Sequence, residues 1–373
     1  KNLEVDTSDV TGLIDRALAE RVDFTLVGPE IPLVEGIVDA FLDAGLRIFG
    51  PTKKAAQLEG SKSFTKLFLD KYAIPTAEFQ TVDELDSAIE YVEDRGTPIV
   101  IKADGLAAGK GVVIAQTQKE AIETLKEMLS GEAFGDAGRQ VVIEEFLEGE
   151  EASFICLCDG KTAIPFASSQ DHKRRDEGDV GPNTGGMGAY SPAPVVDQNI
   201  HRKVMDQVIG PTLEGMIEEG SPYVGFLYAG LMIDQHGNPK VIEFNCRFGD
   251  PEAQPVMYRL QSDLLEACEK AASGELEDYQ LEFDDRVALG VVMAAGGYPI
   301  KYKTGDVIEG LDLESSNSKV FHAGTIEVED EIRTNGGRVL CVVGVGESVA
   351  SAAESAYARV NKIKWDGYYF RGD

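Results

Sequence analysis

A glycine-rich run, Lys102-Ala-Asp-Gly-Leu-Ala-Ala-Gly-Lys-Gly111, joins two β-branched stretches, Ile99 to Lys102 and Val112 to Ala115. Glycines in a strand connection let backbone N–H groups approach a polyphosphate with no Cβ in the way. A P-loop would need Gly-x4-Gly-Lys, then Ser or Thr and a helix. Here Gly105 and Gly109 stand one residue too close, and Lys110-Gly111 runs into a strand. The segment therefore reads as a strand-turn-strand phosphate cover in which Lys102, Asp104, Gly105, Gly109, Lys110 and Gly111 are candidate ligands. Taken alone, it also reads as a flexible hairpin tip with two solvated lysines.

At roughly 150 residues per domain, 373 residues make about two and a half domains. The chain opens with an amphipathic stretch, Asp9 to Glu20, a run Val22 to Val27, a turn at Gly28-Pro29-Glu30, a helix to Ala44 and a strand Leu46 to Phe49. This rhythm predicts a parallel sheet with covering helices. Two helical stretches follow. The second is expected to present Phe64, Leu67 and Phe68 on one face and Lys62 and Lys66 on another.

Thr81-Val-Asp-Glu84 and Thr117-Gln-Lys-Glu120 both read as capping boxes. Strands are predicted at Val141 to Phe146 and Ser153 to Cys158, the latter turning at Asp159-Gly160 and returning through Ala163 to Ala167. From Gln170 to Pro194 no period is visible, which predicts a long functional loop. A helical stretch of about 20 residues leads to hairpin arms Phe226 to Asp234 and Lys240 to Asn245. A helix near Asp263 to Ser273 precedes a last α/β unit: Val287 to Met293, Val320 to Val328, Val339 to Val345 and a helix to Lys362. The middle of the chain is thus expected to be α+β and largely antiparallel.

Thirty-five Lys and Arg against 65 Asp and Glu leave a net charge of −30, which repels phosphate backbones and acidic membranes and excludes bulk nucleic-acid binding. No apolar run reaches the ~18 residues of a membrane span; the uncharged stretch Val287 to Ile300 has about 14. Cys156, Cys158, Cys246, Cys268 and Cys341 are odd in number with no CxxC pair, which argues against a disulfide framework or zinc ribbon and predicts a cytoplasmic setting. The four histidines show no HxxxH or HExxH spacing. The chain opens on Lys1-Asn-Leu-Glu, without Met or an apolar leader, and reads as processed or trimmed.

Glu243-Phe-Asn245 puts two oxygen ligands at i, i+2 on one strand face, a pair that Mg²⁺ can share with nucleotide phosphates. Arg247 shares that face if the strand continues. The alternative is a polar strand edge facing solvent. Asp250 and Glu252 follow at a chain reversal. Glu144 to Glu151 could pair its backbone with a purine edge and a carboxylate with a ribose hydroxyl, or be an acidic turn. Asp171-His-Lys-Arg-Arg175 is the densest basic cluster, and Gly181 to Gly188 beside it permits close backbone approach; a mobile surface loop is the plainer reading.

In order along the chain, Lys66, the glycine-rich hairpin, Glu144 to Glu151 and Glu243-Phe-Asn245 resemble the nucleotide site of the ATP-grasp superfamily. Gly28-Pro-Glu30, Lys102 to Gly111, Asp171-His-Lys173, Asn183-Thr-Gly-Gly-Met-Gly188 and Glu243-Phe-Asn-Cys-Arg-Phe-Gly-Asp-Pro-Glu252 resemble, more narrowly, its glycinamide ribonucleotide synthetase family, over essentially the whole chain. That resemblance implies an α/β and α+β multidomain enzyme: a truncated N-terminal parallel α/β domain (1–60), an ATP-grasp domain (61–265, its small covering subdomain about 75–150) and a C-terminal α/β domain (266–373).

The resemblance further implies ligation of glycine to 5-phosphoribosylamine at the expense of ATP, through a glycyl phosphate, by a monomer using Mg²⁺ or Mn²⁺. Lys66 and Lys102 would hold phosphates under the Gly105 to Gly111 hairpin. Glu144 and the backbone of Glu145 and Leu147 would meet adenine, Phe146 would lie in the same nucleotide site, and Glu151 would meet the ribose. Glu243 and Asn245 would hold the cation, with no further acid near Gly230 to join them. Arg247 would orient the glycine carboxylate. Gly28, Pro29, Glu30, Asp171, His172, Lys173, Asn183 and Gly186 would face phosphoribosylamine. The family's Gly-Ser-Gly-Gly-Arg-Glu-His-Ala motif and extreme C-terminus are not in this sequence. The alternatives are a sister carboxylate-amine ligase and a nucleotide-binding chain without turnover.

Overall fold

The period-2 stretches in the middle of the chain form two four-stranded antiparallel sheets. The computed structural model describes residues 3–106, 111–130, 140–313 and 315–373. The first sheet runs in the order Phe79–Val82, Val141–Glu145, Ile99–Ala103, Val112–Ala115. Ile99, Ile101, Ala103, Val141 and Ile143 point to one face and pack with Ala88, Val92, Ala121, Leu125 and Met128 of helices Leu85–Arg95 and Gln118–Leu129. Alternation sends Phe79, Lys102 and Glu144 to the opposite face.

The second sheet has the order Pro239–Asn245, Val224–Ile233, Glu150–Asp159, Ala163–Pro165. Its longest pairing matches Val224 with Asp159 through to Ile233 with Glu150. Pro239–Asn245 lies at the edge and carries a bulge: Gly230 pairs with Glu243 but Leu231 with Val241, which leaves Ile242 as the extra residue. The burial phase slips there, from buried Val241 to buried Phe244.

These sheets belong to a first compact unit of residues 1–165, 197–248 and 263–280. It also holds the N-terminal elements, where the βαβ expectation is met by a short parallel pair, Thr25–Leu26 with Ile48–Phe49. The helix between them is broken at Gly36 (φ +99°) into Glu30–Glu35 and Ile37–Asp43. A second unit takes in residues 166–196, 249–262 and 281–373. Its five-stranded antiparallel sheet has the order Ser318–His322, Arg338–Gly346, Val287–Ala294, Gly188–Ser191, Gln170–Asp171. Residues 166–196 and 249–262, read from sequence as part of the ATP-grasp domain, thus pack with the C-terminal residues, because Gly188–Ser191 adds directly to Val287–Ala294.

Three expectations are corrected. Gln170 to Pro194 is not one long loop: it holds strands Gln170–Asp171, Arg174–Asp176, Val180–Asn183 and Gly188–Ser191, each too short to show a period. Thr81 lies in a strand, and the helix after it starts at Leu85 with no side-chain cap, whereas Thr117 does cap its helix, accepting from Glu120 N at 3.2 Å. In helix Lys62–Lys71 the buried residues are Ser63, Thr65, Lys66, Phe68 and Leu69, while Leu67 is 59% exposed. The buried stripe of that helix includes a lysine because it faces a buried carboxylate.

Candidate active site

Lys102 and Glu144 stand on the face of the 79–145 sheet turned away from helices Leu85–Arg95 and Gln118–Leu129, where alternation alone would leave them in solvent. They are instead 4% and 3% exposed. Helix Lys62–Lys71 delivers Lys66, itself 2% exposed, to the same place. Glu144 Oε2 lies 3.0 Å from Lys66 Nζ and Glu144 Oε1 lies 2.9 Å from Lys102 Nζ. The Lys102 contact is an ion pair without a well-directed hydrogen bond, since Oε1 has no bonding partner of good geometry. Lys66 Nζ also donates to Thr76 Oγ1 at 2.7 Å, and Thr76 Oγ1 in turn to Val241 O at 2.7 Å. Lys102 Nζ donates to Ile242 O at 3.1 Å, the carbonyl that the bulge takes out of the ladder. Burial pushes Lys66 down to about 8, with Glu144 opposing and Lys102 adding to the shift.

Beyond the bulge, Glu243 and Asn245 share one strand face, half-buried, with Phe244 turned inward between them. Gly230 stands opposite Glu243, and a Cβ there would come within 3.3 Å of Glu243 Cγ. Glycine thus leaves room for the Glu243 side chain. No group of three or more His, Cys, Asp or Glu among the described residues could cage a metal. One carboxylate and one amide oxygen do suit a Mg²⁺-like ion that takes its remaining ligands from phosphate and water.

Arg247 is held by two carboxylates. Its Nε donates to Glu30 Oε2 at 3.1 Å, and its Nη2 lies 3.2 Å from Glu59 Oε1 and 3.4 Å from Asn245 Oδ1. Glu59 Oε2 also accepts from Cys246 N at 2.7 Å. Burial raises Glu59 to about 7 despite the neighbouring guanidinium, with Glu30 and Glu243 pushing the same way. Glu59 and Lys62 are the residues of this cluster that sequence reasoning missed. Lys62 Nζ donates to Gly105 O at 2.7 Å, and burial lowers it while Glu243 opposes. Lys62 and Lys66 stand at i, i+4 in one helix, a spacing that could have signalled a shared face, whereas Glu59 lies in the preceding helix Gln57–Gly60, beyond the extended Ser61.

Asp104 is engaged locally: Ser63 Oγ donates to it at 2.7 Å and Ser63 N at 3.1 Å, which ties the root of the glycine-rich hairpin to the start of helix Lys62–Lys71. Gly105 has φ +92°, and Gly111 O accepts from Ala103 N at 2.8 Å. Gly109 and Lys110 lie outside the described residues. The Glu144 side chain, read from sequence as an adenine ligand, lies within ion-pair distance of both lysines. Glu145 is exposed, 3.4 Å from Lys240, and the backbone of Phe146, Leu147 and Glu148 engages no other backbone group among the described residues. An added Cβ at Gly149 would collide with Ile233 O, so this connection crosses the neighbouring strand only as glycine. Glu151 sits in the following strand opposite Met232.

Gly28 and Pro29 are exposed, and Glu30 opens a short helix that brings it to Arg247. The other residues assigned to phosphoribosylamine lie in the second unit. His172 exchanges backbone hydrogen bonds with Gly188 and Met187, and burial lowers its imidazole, with Arg371 adding to the effect. Thr184 N and Oγ1 both bind Lys173 O at 2.8 Å, which folds Asn183 to Gly186 back against Asp171 to Lys173. At Gly186, φ is +111° and a Cβ would strike Pro251 Cδ.

Two antiparallel sheets, one bearing the buried Lys102 before a glycine-rich connection and the other an edge Glu-x-Asn pair, define an ATP-grasp protein. Residues 60–253 match the phosphoribosylglycinamide synthetase ATP-grasp (A) domain, 1–59 its N domain and 288–373 its C domain. The chain belongs to the phosphoribosylglycinamide synthetase family. It is 59% identical over 375 residues to the phosphoribosylamine--glycine ligase of Escherichia coli O6:H1, covering 100% of this chain and 87% of the relative. The Vibrio parahaemolyticus enzyme of the same name is 56% identical with the same coverage. The crystal structure of phosphoribosylamine--glycine ligase from Thermotoga maritima superposes with a TM-score of 0.84 at 34% identity, over 96% of this chain and 87% of that one. The biotin carboxylase domain of Hydrogenobacter thermophilus 2-oxoglutarate carboxylase, solved with MgADP, shares the fold at TM-score 0.78 and 17% identity, over 97% of this chain and 79% of that one.

Proposed function

We propose that this chain joins glycine to 5-phosphoribosylamine with ATP, yielding glycinamide ribonucleotide, ADP and phosphate, a step of purine biosynthesis. The observation that carries the site assignment is the convergence of Lys66 and Lys102 on the buried Glu144, with Lys102 also bonded to the carbonyl next to Glu243. Two cations held together in a −30 chain mark where an anionic triphosphate would be welcome.

In this reading a glycine carboxylate oxygen attacks the γ-phosphorus, the bond to the bridging oxygen of ADP breaks, and a glycyl phosphate forms. The amine nitrogen of phosphoribosylamine then attacks the carbonyl carbon, loses a proton and expels phosphate. An anion attacking an anion needs cations on both, and positioning with electrostatics supplies most of the rate. Lys66 and Lys102 supply them from the protein. Glu243 and Asn245 would hold a divalent cation, Mg²⁺ or Mn²⁺, which when bound neutralises phosphate charge. The backbone of Glu145 to Leu147 is assigned to adenine and Glu151 to ribose.

Arg247, whose planar fork suits a carboxylate, is assigned to glycine and kept in orientation by Glu30 and Glu59. Gly28 to Glu30, Asp171 to Lys173, Asn183 and Gly186 are assigned to phosphoribosylamine. The domain limits we propose are 1–60, 61–265 and 266–373. No described helix is long and apolar enough to cross a membrane, and the five cysteines are free and buried, which suits a reducing compartment.

Glycine labelled with ¹⁸O in its carboxylate tests the acyl phosphate. One label should appear in the inorganic phosphate released, and phosphate free of label would contradict the intermediate.

A further inference from the structure

The family resemblance gives the most enclosed carboxylate of the cluster to adenine, but its geometry suits a different role. Glu144 presents one oxygen to Lys66 at 3.0 Å and the other to Lys102 at 2.9 Å, with about 4% of its side chain exposed. A carboxylate that read the purine would have to turn an oxygen towards the base, whereas both oxygens of Glu144 lie within ion-pair distance of lysine. We propose that Glu144 is a positioning residue for the triphosphate: it keeps Lys66 charged and holds Lys66 and Lys102 side by side where the phosphates are bound. This rests on the nucleotide reading above and deepens it.

Two ammonium groups sharing a dry site repel each other, and burial penalises each of them. Lys66 is faced by Glu144 and Lys102 from the sheet, by Lys240 from the strand Pro239–Asn245, by Thr76 Oγ1 at 2.7 Å and by the Phe79 ring at 5.6 Å. Glu144 is the anion of that set. Without it, Lys102 and Lys240 both favour the neutral amine at Lys66, which burial already pushes down to about 8. Lys62, whose charge Glu144 also supports, lies on the same side. The anchors on Thr76 and the Ile242 carbonyl then hold the lysines in place when a triphosphate becomes their counter-ion.

Glu144→Gln keeps the shape and removes the charge. Affinity for MgATP and MgGTP is measured on the full chain, wild type and variant, at about pH 6 and about pH 8. The expected result is MgATP binding about fivefold weaker than wild type at about pH 8 and within about threefold at about pH 6, since a one-unit fall from about 8 cuts the protonated fraction of Lys66 about fivefold at pH 8 and hardly at pH 6. The preference for ATP over GTP should stay unchanged. Lys66→Met should shrink the pH-dependent loss, because Glu144 acts through that lysine. A pH-independent loss that also erases the ATP preference would make Glu144 a reader of the base and overturn the proposal, as would unchanged MgATP affinity at both pH values. Should the glutamine variant not fold, Glu144→Asp decides on the same criterion: weaker MgATP with the base preference kept supports it, and a lost preference overturns it. A wild-type chain that binds no MgATP would overturn the nucleotide reading itself.

Discussion

At Arg247, two carboxylates share one guanidinium, so the trio carries an excess negative charge before any substrate arrives. A third carboxylate, that of glycine, should therefore be accepted by protonation of the more buried partner. Glu59 is poised for this, raised to about 7 by burial. Glycine binding near pH 7.5 is predicted to take up protons, seen as a binding enthalpy that depends on the ionisation enthalpy of the buffer; Glu59→Gln should abolish that dependence. Buffer-independent enthalpy in the wild type would place the proton elsewhere. The linkage to stability has the same origin. With its folded value above the usual carboxylate range, Glu59 favours folding at pH below about 4.5, and this contribution is lost as the pH rises through about 7. Arg247→Ala is predicted to raise the KM for glycine by about tenfold to a hundredfold, the scale of a charge-assisted pair, with the KM for ATP nearly unchanged. An unchanged glycine KM would remove Arg247 from that role.

At the scale of elements, the bulge in Pro239–Asn245 frees the Ile242 carbonyl for Lys102, and the regular alternation that resumes after it keeps Glu243 and Asn245 on a common face. Gly230 across the ladder is part of the same device. Gly230→Ala would put a Cβ 3.3 Å from Glu243 Cγ, so the carboxylate must shift by a few tenths of an ångström. The predicted outcome is a higher Mg²⁺ requirement in steady-state assays with little loss of thermal stability, and an unaltered Mg²⁺ dependence would show that Glu243 does not hold the cation. The Glu-x-Asn pair was legible because a period of 2 puts i and i+2 together whatever else the strand does. The bulge was not, since an extra residue leaves no mark in composition. Nor was the inward turn of Lys66: its helix offers Leu67 as the natural core residue, yet Leu67 is 59% exposed, because the partner that draws Lys66 inward lies far along the chain at Glu144. The strands between Gln170 and Ser191 escaped because they are two to four residues long, too short to show a period, and Gly188–Ser191 is fixed by its pairing with the distant Val287–Ala294.

Across the whole molecule, hydrophobic rhythm was enough to reveal an α/β start, an antiparallel middle and a final α/β unit, but not that the second compact unit gathers three separate stretches of chain. That gathering follows from strand pairing between Gly188–Ser191 and Val287–Ala294, which no local pattern announces. A net charge of −30 acts at the same scale. Self-repulsion weakens as the Debye length falls from about 10 Å to about 3 Å between ~0.1 M and ~1 M salt. The melting temperature is predicted to rise by several degrees over that range of KCl, and a fall would mean that ion pairs outweigh net repulsion. The central claim, amide formation driven by ATP, is tested most directly by supplying isotope-labelled glycine, MgATP and phosphoribosylamine formed in situ, and following label and ADP together. One ADP per labelled amide, dependent on both co-substrates, is the predicted result. Bound ATP with no labelled product, or ADP release supported by bicarbonate in place of glycine, would contradict it.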